Sequence, residues 1–143
     1  MAELDDRYYS LNNQKSDNER EQRQTQNQIN DIDEKIKRLS DAYKDIGTYK
    51  GNLKKIQKNV SRLPGVLDTW KGKQAEDLLG KSDKGGDLYN AYEDYIKAVD
   101  NAQDAINWEI FNLKSVRSEK YGFLQGLVDF WNYLCTEIGN YFN

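Results

Sequence analysis

The sequence predicts an all-α protein: an elongated antiparallel two-helix hairpin of coiled-coil type, with a W-x-G turn region and an additional C-terminal amphipathic helix. Three observations predict it. Apolar residues recur at spacings of three and four over two long stretches, a proline–glycine pair and a cluster of glycines separate those stretches, and the charges flanking them are of opposite sign. Composition agrees. With 37% hydrophobic against 31% charged residues the chain has a thin supply for one compact core, and one proline with ten scattered glycines does not furnish the turns of a sandwich or barrel.

The first stretch runs Ile29, Ile32, Ile36, Leu39, Tyr43, Ile46, Tyr49, Leu53, Ile56, Val60 and Leu63. That is a coiled-coil seam, with successive threes around Ile46 and Tyr49 that break the strict heptad and predict local overwinding near Gly47 and Gly51. Carried backwards, the same frame meets Thr25, Gln22, Asn18 and Lys15 before Leu11, Tyr8 and Leu4. Residues 12–28 hold no apolar side chain, a composition compatible with a solvated helical extension or with a disordered stretch.

Pro64-Gly65 is expected to end this helix, because proline cannot donate to the helical ladder. The turn region spans about 64–87, with a short helical pattern at Ala75, Leu78 and Leu79 between glycines. The second stretch then reads Leu88, Tyr92, Tyr95, Val99, Ala102, Ile106, Ile110, Leu113 and Val116. Lys50, Lys54, Lys55, Lys58 and Arg62 lie on the first helix where the second offers Asp87, Glu93, Asp94, Asp100, Asp104 and Glu109. A fold-back in which partner numbers sum to about 148 matches both seams and charges, setting Leu53 near Tyr95 and Tyr49 near Val99. Exposed pairs of this kind report register more than stability.

Gly122 and Gly126 are candidate breaks, after which Leu124, Leu127, Val128, Trp131, Leu134, Cys135, Ile138 and Phe142 form a broad apolar face. A straight continuation would set that face opposite residues 6–25, which are almost wholly polar. Burying even half of it is worth on the order of 10 kcal/mol in transfer terms, so the tail is expected to fold back, self-associate or bind another protein. The organisation expected is therefore a polar helical extension at 1–28, a hairpin at 29–120 and an apolar amphipathic segment at 121–143.

Several function classes are excluded or disfavoured. The absence of histidine removes Ser-His-Asp and Cys-His catalysis and nearly every mixed zinc site, and no catalytic residue, metal or cofactor is expected. Cys135 is the one cysteine and cannot form an intramolecular disulfide. A net charge of −3 disfavours nucleic-acid binding. The N-terminus lacks the basic and apolar regions of a Sec signal peptide, and the apolar tail carries too many polar residues for stable membrane insertion. A non-enzymatic interaction protein is the class that remains.

Trp70-Lys71-Gly72 sits in the turn of this hairpin. The arrangement resembles the WxG-type helical hairpins of Gram-positive type VII (ESX) secretion, and most resembles the small helical partner proteins encoded with LXG toxins; residues 29–116 carry the likeness. The resemblance implies a targeting factor that binds the helical N-terminal domain of an LXG toxin, with another small helical WxG-like protein as a further partner. It implies synthesis in the cytoplasm, with both export by the type VII route and retention after the client leaves compatible with it. It also implies partner-binding or export roles for Trp70 and Gly72, and for Tyr133 with Glu137, which fit the Tyr-x-x-x-Asp/Glu export element; Tyr89 and Glu93 fit it too, but on the hairpin surface. From the residues themselves, Leu127, Trp131, Leu134, Ile138 and Phe142 are the expected recognition face, because aromatic anchors dominate interfaces. The competing expectation is a structural coiled-coil homodimer, of phage or cytoskeletal type, unrelated to secretion.

Overall fold

The computed structural model describes residues 2–66, 76–77, 81 and 86–143. Two α-helices account for nearly all of them: α1, Ala2–Val66, and α2, Asp87–Phe142. They form an antiparallel two-helix hairpin, and no strand occurs among the described residues. Trp70-Lys71-Gly72 and the helical pattern at Ala75, Leu78 and Leu79 lie outside the described residues.

Two expectations about element ends are corrected, and the choice left open for residues 12–28 falls on the helical extension. The helix does not stop at Pro64 but carries on to Val66, one or two residues of terminal helix being within what a single lost donor allows. The polar stretch 12–28 is helix throughout. Gly122 and Gly126 do not break α2, so the segment from 121 onward is the end of α2 rather than a helix of its own. A glycine inside a helix costs about 1 kcal/mol relative to alanine, too little to interrupt a long packed helix.

The chain divides into two compact units, one of residues 38–110 and one of residues 1–37 with 111–143. In both, the shielded residues of each helix repeat every seven. On α1 the phase is Leu11, Asn18, Thr25, Ile32, Leu39, Ile46, Leu53, Val60, with Tyr8, Lys15, Gln22, Ile29, Ile36, Tyr43, Lys50, Gln57 between them, and none of these is exposed. On α2 it is Tyr92, Val99, Ile106, Leu113, Lys120, Leu127, Leu134, Tyr141, with Tyr89, Ile96, Gln103, Ile110, Arg117, Leu124, Trp131, Ile138. Spacings of three and four that never slip are the a and d positions of an unbroken heptad.

In the unit of residues 38–110 this corrects the expected seam. Tyr49, Ile56 and Tyr95 are exposed, and Lys50, Gln57 and Ile96 take the inward positions instead. No overwound stretch follows, because the heptad is kept by polar residues with partners across the seam. Lys50 pairs with Asp100, and Gln57 donates from Nε2 to Glu93 Oε2 at 2.7 Å. Gln103 is buried beside Gly47, where an added Cβ would come within 3.3 Å of the Gln103 amide nitrogen, so the glycine admits a close approach of the helices. The numbers of each of these pairs sum to 150, two away from the expected fold-back.

The unit of residues 1–37 and 111–143 is closed in a different way. Its core is Leu11, Ile29, Ile32 and Leu134, with Ile29 and Leu134 almost fully buried. Asn18 and Thr25 are buried among them at α1 positions where a coiled coil ordinarily has aliphatic side chains.

Candidate functional site

The C-terminal third of α2 holds most of the residues expected to recognise a partner. Its inward side faces α1. Leu134 is 1% exposed, and Leu127, Trp131 and Ile138 are half-buried on the same heptad phase. The apolar tail is thus packed in cis, on the arm that looked too polar to receive it. What makes this workable is hydrogen bonding rather than apolar area. Asn18 donates from Nδ2 to the Leu127 carbonyl at 2.9 Å and accepts from Gln22 Nε2 at 2.6 Å. The Trp131 indole N–H donates to Glu19 Oε1 at 3.1 Å, and the Lys15 ammonium lies 5.2 Å from the centre of the Trp131 ring. Among the described residues no buried side-chain nitrogen or oxygen lacks a hydrogen-bond partner.

Aromatic and charged contacts close the end of this unit. Tyr8 stacks on Tyr141 at 5.6 Å between ring centres and meets Phe142 edge-on at 5.4 Å. Glu137 forms an ion pair with Arg7 at 3.1 Å, while Tyr133, its partner in the Tyr-x-x-x-Glu pattern, is exposed. Loss of solvent around Tyr141, followed by the Asp5 carboxylate that its hydroxyl hydrogen-bonds, raises that phenol above its ordinary value of 10.0. Phe142 remains 68% exposed despite its contact with Tyr8. A groove of about 660 Å³ runs beside Trp131, walled by Leu124 and Val128 on one side and by Glu19, Gln22, Arg23 and Gln26 on the other.

The outward side of α2 carries what sequence reasoning missed. Val116, Phe123 and Phe130, seven residues apart, are all exposed, with Tyr133 beside Phe130 in a stacked pair. They lie one position before the seam in every heptad. The signal was present in their spacing, but the apolar face expected from the sequence ran through their chain neighbours Leu124 and Trp131 and left Phe123 and Phe130 out.

In the other unit, Tyr49, Leu53, Ile56, Leu88, Tyr92 and Tyr95 line a groove of about 390 Å³. Trp108 is 66% exposed, and Cys135 is a partly buried free thiol. Tyr89 and Glu93 belong to the hairpin contact, both accepting from the Gln57 amide. Trp70 and Gly72 lie outside the described residues, so their surroundings do not enter. No helix among the described residues is long and apolar enough to cross a membrane.

The family model described as YwqH-like matches residues 13–127. The match takes in most of the polar arm and of α2, and so reaches beyond the stretch 29–116 that carried the resemblance. Neither a curated protein nor a solved structure matches the chain.

Proposed function

The chain belongs to the YwqH-like family, and on that premise we propose that it is a non-enzymatic partner of an LXG toxin, binding the toxin's helical N-terminal domain and helping to present it to a type VII secretion machine. The observation that carries this reading is the family match over residues 13–127, which suggests a small helical LXG-associated protein. The fold supports it: a two-helix hairpin with outward-facing aromatic residues on α2 can lie against further helices, as coiled-coil bundles do. Another small helical WxG-like protein is the further partner that such a bundle accommodates.

Trp70 and Gly72, and Tyr133 with Glu137, are proposed to serve engagement or export. The Trp70→Ala variant keeps most of its helical circular dichroism under this reading and loses toxin co-secretion. The primary test is co-expression with the N-terminal region of an LXG toxin encoded beside this chain, followed by size-exclusion chromatography. Co-elution as one species is the expected result, and separate elution contradicts the proposal.

A further inference from the structure

One side of the hairpin in the unit of residues 1–37 and 111–143 is both apolar and acidic. The Arg7–Glu137 ion pair shows which positions of the two helices adjoin on that side. Counting by heptads from this pair, Phe130 and Phe123 follow Glu137 along α2, and Gln14 and Glu21 follow Arg7 along α1. Phe123, Gly126, Leu127 and Phe130 make the i, i+3, i+4, i+7 diamond into which a neighbouring helix inserts a side chain. Its Gly126 corner is open, since a Cβ there would meet nothing within 4 Å.

The rim of this diamond decides what can fill it. Alongside the stripe, between residues 14 and 31, the α1 residues at the two adjoining heptad positions are Gln14, Asp17, Glu21, Gln24, Gln28 and Asp31. On the α2 side Glu119 precedes Phe123, while Lys120 takes a half-buried seam position. No rim position along the stripe is basic, and of its carboxylates Asp17 pairs with Arg20 in its own helix. A second copy of the chain would set these carboxylates against their own kind, which is unfavourable across a helix–helix contact.

We infer that the Val116–Phe123–Phe130 stripe is the docking face for a third helix whose apolar seam is flanked by Lys and Arg, contributed by a different protein; as the toxin-side surface of this chain it rests on the function proposed above. The phenylalanines supply the desolvated anchors, Gly126 the socket, and Glu21, Asp31 and Glu119 the choice of partner charge.

The test uses the full chain and two synthetic helical peptides of about four heptads, with Leu at both seam positions and either Lys or Glu at the flanking ones. Fluorescence anisotropy should show the Lys-flanked peptide binding at least about tenfold more tightly than the Glu-flanked one. Phe123→Gln with Phe130→Gln should abolish that binding, with unchanged circular dichroism because both side chains are exposed. Glu21→Lys with Glu119→Lys should reverse the preference. Equal affinity for the two peptides, binding indifferent to the phenylalanine substitutions, or self-association through these phenylalanines would each overturn the inference. The toxin domain separates this surface from the broader reading. Peptide recognition through Phe123 and Phe130 without any toxin complex supports the surface and contradicts the toxin reading; a toxin complex indifferent to Phe123→Gln with Phe130→Gln does the reverse.

Discussion

Residues 38–110 and residues 1–37 with 111–143 use the same seven-residue phase but fill it with different chemistry. In the first unit Leu53 and Val60 on α1 and Ile96 on α2 are buried, with Lys50 and Gln57 as polar insertions that find partners across the seam and Gln103 buried beside Gly47. In the second, α2 carries Leu124, Leu127, Trp131 and Leu134 on successive seam positions, while α1 contributes Lys15, Asn18, Gln22 and Thr25 between Leu11 and Ile29. The difference teaches that a helix with no apolar residue over 12–28 can still close a coiled coil. It does so when its amides reach carbonyls and its carboxylates reach an indole. Polar seam residues of this kind restrict register more than they add stability, since a shifted pairing leaves them buried without partners.

The largest effect should come from the apolar anchor that the comparison turns on. Leu134→Ala is expected to lower unfolding free energy by about 2–5 kcal/mol, as Ile96→Ala should in the other unit. Chemical denaturation of both variants checks this, and a negligible loss at Leu134 beside a large one at Ile96 would mean the tail is not closed in cis. Next, Asn18→Ala removes the donor to the Leu127 carbonyl and should cost about 1–3 kcal/mol. Asn18→Leu is the sharper version: stability rises or holds, while the crosslinking pattern spreads over more than one register. Gln57→Leu should behave in the same way if both units use polar seam residues alike.

Smaller effects follow from the helix itself. Gly122→Ala should raise unfolding free energy by up to about 1 kcal/mol, because a Cβ there meets nothing within 4 Å. A loss instead of a gain would show that α2 needs a bend at this point. Smallest of all, Arg7→Gln should change stability by no more than about 1 kcal/mol and only at low salt, the Arg7 side chain being 64% exposed.

Much of this was legible in the sequence. The spacing from Ile29 to Ile46 set the correct phase, and opposed charges placed the fold-back within two residues, because Lys50 and Asp100 do pair. What misled was the assumption that apolar means inward. Tyr49, Ile56 and Tyr95 mimic seam positions, whereas Gln57 holds one through Glu93 on the other helix and Gln103 is buried in one beside Gly47, neither of which local spacing reveals. The same assumption hid the two sides of the tail. Leu127, Trp131, Leu134 and Ile138 were expected to meet a partner and instead meet α1, and the stripe through Phe123 and Phe130 remains outward.

The claim beneath both the comparison and the proposed docking face is that the tail pairs with the polar arm of its own chain. Disulfide trapping tests it most directly. The variant Leu11→Cys with Ile138→Cys, in a Cys135→Ser background, is oxidised at low protein concentration; the heptad phase sets the two positions opposite each other. The account predicts a monomer of faster mobility on a non-reducing gel and a raised melting temperature. Disulfide-linked dimers with little internal crosslink would contradict it, and would return the tail to the self-associating reading.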